Sequence, residues 1–71
     1  MLQQTIVERM MEMVDYLDGV ITDTRTPEAA RDKERMSPAL QREFVAWLSK
    51  TKRLRQDTEK LHRNCVMEGV E

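Results

Sequence analysis

From Ala39 to Glu68 neither glycine nor proline interrupts the chain. Within that run Leu40, Phe44, Trp47, Thr51, Leu54, Thr58, Leu61 and Cys65 recur in alternating steps of four and three. This is the spacing that lines side chains along one seam of a helix packed lengthwise against another. Ser37 is placed to cap the helix by accepting an orphan backbone N–H, and Pro38 fits the first helical position, where no N–H is missed. A helix over 38–66 is therefore expected, a rod of roughly 43 Å at ~1.5 Å per residue. The tail is expected to fray around Gly69.

The same spacing appears earlier. Ile6, Met10, Met13, Leu17 and Val20 step by four and three, and Val7, Val14 and Ile21 widen the stripe. A broad apolar face of this kind predicts a helix over about 5–21, buried against more than one neighbour. Thr5 and Glu8 are spaced as a capping box. The polar run Thr22–Thr26 should end the helix, because short polar side chains compete for its backbone. Thr26-Pro27 then reads as a second start. The charged, alanine-containing stretch that follows predicts a short, thinly buried connecting helix over about 27–36, with an ordered loop as the alternative.

Seventy-one residues hold one domain, near the size at which a single core barely outweighs chain entropy. With 35% charged residues, 4% aromatics, two glycines and two prolines, residues 1–71 are expected to form a single all-α domain. The expected architecture is a helical hairpin with a short connecting helix and one long C-terminal helix. The first arm of ~17 residues is some 17 Å shorter than the second. An antiparallel hairpin should then cover the Leu40–Leu54 part of the seam and leave Leu54–Cys65 bare. Association of two copies into a dimeric helical bundle or coiled coil would cover both surpluses.

A formal charge of −1 gives no whole-chain attraction to nucleic acid or an acidic membrane. The charge is divided, however: residues 1–36 hold five Lys/Arg against eight Asp/Glu, and residues 37–71 seven against five. The simplest use of that split is internal, with an acidic first arm lying beside a basic second arm. Cys65 is the one cysteine, which leaves no intrachain disulfide. With no apolar run near 18 residues and no basic-then-apolar leader, neither a membrane span nor secretion is expected, and the cytoplasm is the expected location.

Chemistry is thinly represented. His62 stands alone beside Arg63 and is expected to be an exposed surface histidine. Cys65 lies on the seam near a helix C-terminus, where the dipole disfavours a thiolate, and should be a small buried hydrophobe. Glu8, Glu12, Asp15 and Asp18 form a solvated acidic face rather than an acid–base pair. No catalytic residue, cofactor or metal ligand is expected, and the chain is read as non-enzymatic. Contact with protein is expected through Met10, Met13, Leu17, Phe44, Trp47, Leu54 and Leu61, where clustered methionines face aromatic residues on an adaptable apolar surface. That describes a self-associating regulator, adaptor or chaperone for a client protein. The alternative is a nucleic-acid-binding regulator using Lys50, Lys52, Arg53 and Arg55, although Asp57 and Glu59 interrupt the run.

Overall fold

A computed structural model describes residues 5–70 as three helices: α1 (Ile6–Asp23), α2 (Pro27–Glu34) and α3 (Pro38–Met67). Each begins on the hydroxyl the sequence supplies. Thr5 accepts from the Glu8 amide at 3.1 Å, Thr26 from Ala29 at 3.2 Å and Ser37 from Leu40 at 3.2 Å. Each satisfies one orphan donor of a first turn. α1 runs two residues past the expected end. There Thr24 and Thr26 donate their hydroxyls to the carbonyls of Ile21 (2.6 Å) and Asp23 (2.9 Å). Thr26 thus closes one helix and opens the next.

At Gly69, where fraying is expected, the chain forms a hydrogen-bonded cap. Gly69 takes φ +76°, the left-handed conformation that glycine adopts without a Cβ penalty. Its N–H donates to Val66 and that of Val70 to Cys65, at 3.1 and 2.9 Å. That pair of bonds is a Schellman closure, which satisfies two carbonyls of the last turn.

α1 packs antiparallel against α3, and α2 adds little contact. Val7, Val14, Leu17 and Ile21 are buried on α1, and Thr51 on α3. The row of α3 turned toward α1 is Phe44, Leu48, Thr51, Arg55, Thr58, His62 and Cys65, all buried or half-buried. Leu40, Trp47, Leu54 and Leu61, expected on the same seam, are 46–51% exposed. The helix is rotated so that one row of the 4-3 pattern faces inward and the other outward. The threonines tolerate the inner row because their hydroxyls are spent locally: Thr51 donates to the Trp47 carbonyl at 2.8 Å and Thr58 to that of Leu54 at 2.7 Å. A small side chain with a satisfied hydroxyl behaves nearly as an apolar one and lets the helices approach closely.

The register also departs from expectation. Val20 and Asp23 share a recess with Phe44 and Trp47, while Thr5 and Val7 lie beside Val66 and Val70. α1 therefore runs along α3 from Phe44 to its C-terminal end and the turn beyond it, and Cys65 is half-covered. The cause is the linker: α2 and its two turns occupy the length beside the start of α3, so α1 is carried toward the far end. Arm length does not set which end is bare; Leu61 is open because of which way it faces.

Candidate protein interface

The outward row of α3 places Leu40, Trp47, Leu54 and Leu61 seven residues apart, so each lies nearly above the last. α1 carries a parallel row on the same side. Ile6 and Met13, also seven apart, are 63% and 46% exposed, and Val20 continues the row half-buried. Phe44 and Trp47 stack in a tilted pair, ring centroids 5.7 Å apart at 39°. Beside them a recess of ≈ 280 Å³ opens among Val20, Ala29, Met36, Phe44 and Trp47. One edge of the hairpin is thus apolar along its length, built half from each helix.

The residues expected to make protein contact divide accordingly. Met13, Trp47, Leu54 and Leu61 are on this edge and open. Met10 and Phe44 are half-buried at the junction of the two helices. Leu17, at 7% exposure, is part of the hairpin's own core and is not available to a partner. Leu40 and Ile6 join the edge; the signal for both was the seven-residue step to Trp47 and to Met13.

The other edge is mixed, polar around Arg55 and apolar where Met11 and Val66 are exposed. Arg55 donates to both carboxylate oxygens of Asp18 across the helix gap and to Glu59 Oε2 at 2.6 Å, while Arg63 reaches Glu59 Oε1 at 3.3 Å. The Asp18 hydrogen bond raises the Arg55 guanidinium pKa above its ordinary value; desolvation opposes it, and the negative charges of Asp18 and Glu59 add to the rise. Contrary to the expectation of a freely exposed histidine, His62 is half-buried in a groove of ≈ 380 Å³ with Met11, Asp15, Asp18 and Glu59. Among the described residues no three His, Cys, Asp or Glu side chains are grouped to hold a metal ion.

The divided charge is only partly spent between the helices, in the Asp18–Arg55 pair. At 100° per residue, the basic residues Arg42, Arg53 and Lys60 fall on the side of α3 away from α1, with Lys52 and Arg63 at its border beside the grooves shared with α1, and all are exposed. Glu8 and Glu12 fall on the outer side of α1, with Asp15 and Asp23 at its borders beside the two recesses, all exposed. The hairpin, measuring 47 × 24 × 17 Å, therefore carries a basic outer face on one helix and an acidic one on the other. Of the four expected nucleic-acid contacts, Arg53 sits on that basic face with Lys52 at its border, Lys50 flanks the apolar edge and Arg55 is turned inward to Asp18.

Compared with protein-family models, with curated proteins and with solved structures, the chain matches none. No helix among the described residues is long and apolar enough to cross a membrane.

Proposed function

We propose that this chain is a small non-enzymatic protein-interaction module that pairs with a second copy of itself through its apolar edge and, so assembled, serves a client protein as regulator, adaptor or chaperone. One observation carries the reading: Leu40, Trp47, Leu54 and Leu61 form an unbroken row, each about half exposed. Large apolar side chains exposed singly are ordinary, whereas a contiguous row marks an interaction surface. Area supports the same reading. The chain exposes 6020 Å², against roughly 4,600 Å² for a compact protein of its mass. Elongation accounts for part of that surplus, and a standard interface covers about 800 Å² per partner.

Sedimentation equilibrium from about 10 nM to about 100 µM, because pairs of this interface size dissociate anywhere from micromolar downward, tests the reading. A mass rising from 8.4 kDa toward twice that value supports it. A constant 8.4 kDa species with intact helical signal overturns it.

A second reading rests on a different feature. Asp57 and Glu59, which interrupt the basic run in sequence, project to either side of the ridge made by Arg42, Lys52, Arg53, Lys60 and Arg63. Such a ridge suits the phosphate backbone of a nucleic acid. Binding that weakens steeply with salt and is lost when Lys52 and Arg53 become glutamine supports it; unchanged mobility of DNA and RNA at low salt disposes of it.

A further inference from the structure

Two arrangements bring the apolar edges of two copies together, given the self-association proposed above, on which this rests. A two-fold axis perpendicular to the helices sets α3 beside the partner's α3 and α1 beside its α1. An axis parallel to the helices sets α3 of each copy beside α1 of the other. We infer that the second arrangement forms, a four-helix bundle in which every neighbouring pair of helices is antiparallel.

Register allows it. Rotation about an axis parallel to the helices leaves every residue at its own height along the bundle. Within one hairpin Val20 stands at the height of Trp47, where both line one recess. Seven residues back along α1 and seven forward along α3 place Met13 level with Leu54, and a further seven place Ile6 level with Leu61. The partner's row thus meets this row at three successive levels with no sliding. An evenly spaced row also matches its own reverse, so the perpendicular axis can be seated in register too, and spacing alone does not choose between the axes.

Charge argues for the parallel axis. The perpendicular axis lays basic outer face beside basic outer face and acidic beside acidic, a like-charge juxtaposition that disfavours a complex. The parallel axis alternates them around the bundle. It also brings the exposed Arg9, flanking Met13, toward Asp57 of the other copy, which is exposed and flanks Leu54.

Spin labels decide between the two. In a Cys65→Ala background, single labels are attached after Ser49→Cys, Gln56→Cys or Arg63→Cys, all exposed positions at seven-residue steps along α3. The two α3 helices run parallel across the diagonal in the inferred bundle, so electron–electron distances should be the same at all three sites. Distances that lengthen by up to about 21 Å per seven residues, as for antiparallel α3 helices, overturn the arrangement while leaving self-association standing. No dipolar coupling at any site overturns the self-association itself. An independent check is charge exchange: Asp57→Arg should weaken pairing at least fivefold and Arg9→Asp in the same chain should restore it. Pairing that survives Asp57→Arg unchanged, or is not restored by the second change, overturns the inferred contact.

Discussion

Replacing Leu54 with lysine separates the role of the outer row from that of the core. Leucine and lysine have similar helix propensity. The four-carbon stem of lysine also covers the intrahelical surface that leucine covers, while its ammonium stays in water. The lone hairpin should therefore lose almost nothing. A pair of hairpins should lose a good deal. Full burial of a leucine stabilises by ~1.5–3 kcal/mol. Leu54 retains 50% exposure, so a partner buries about half of that, ~0.75–1.5 kcal/mol per subunit. Two subunits carry the change, giving ~1.5–3 kcal/mol per dimer, or a dissociation constant weakened about 10- to 150-fold at 1.4 kcal/mol per decade. Desolvating the ammonium adds to this. Sedimentation equilibrium gives the constant and circular dichroism the helix content, with Gln56→Lys on the outer face as a control that changes neither. A dissociation constant unmoved by Leu54→Lys refutes the assignment of this row to the interface. Loss of helix in the dilute variant refutes the placement of Leu54 outside the core.

Three further outcomes follow from the fold. Val14, 3% exposed, is the most enclosed core side chain; Val14→Ala should cost about 2 kcal/mol from two lost methyl-sized groups and the cavity they leave, lowering the melting temperature by roughly 10 °C. Gly69→Ala should cost about 1 kcal/mol, because nothing lies within 4 Å of an added Cβ and the penalty is that of φ +76° alone. It should appear as faster hydrogen exchange at the Gly69 and Val70 amides with the α1–α3 core unchanged. Thr26→Ala removes both the cap of α2 and the hydroxyl bond to Asp23; a loss of about 1 kcal/mol and faster exchange at the Ala29 amide are expected.

Helix existence was plain in the sequence, because Thr5, Thr26-Pro27 and Ser37-Pro38 punctuate it with caps whose chemistry is local. Rotation of α3 was not. The 4-3 pattern describes two adjacent rows, and hydropathy alone would turn the leucine row inward. The structure turns Thr51, Thr58 and Cys65 inward, with Arg55 and His62 alongside. Their fitness depends on what each polar atom finds to bond. Thr51 finds the Trp47 carbonyl and Arg55 finds Asp18, and the second of these partners is 37 residues away. Register was hidden for a similar reason. It follows from the path of residues 24–37 between the arms, a set of turns whose direction no spacing rule encodes. Met13, Trp47, Leu54 and Leu61 were legible from periodicity as apolar stripe residues, though not as exposed ones. Leu17 was misassigned to the surface because the α1 stripe is broad enough to serve the core and the edge at once.

Trp47 reports on the outer row directly, being the one tryptophan in the chain and 46% exposed in a single hairpin. Its fluorescence emission maximum, followed from nanomolar to high micromolar protein, should move to shorter wavelength in step with the rise in mass as a second copy excludes water from the indole. An emission maximum that stays fixed while the mass doubles would contradict the account, since the pairing would then be using some other face.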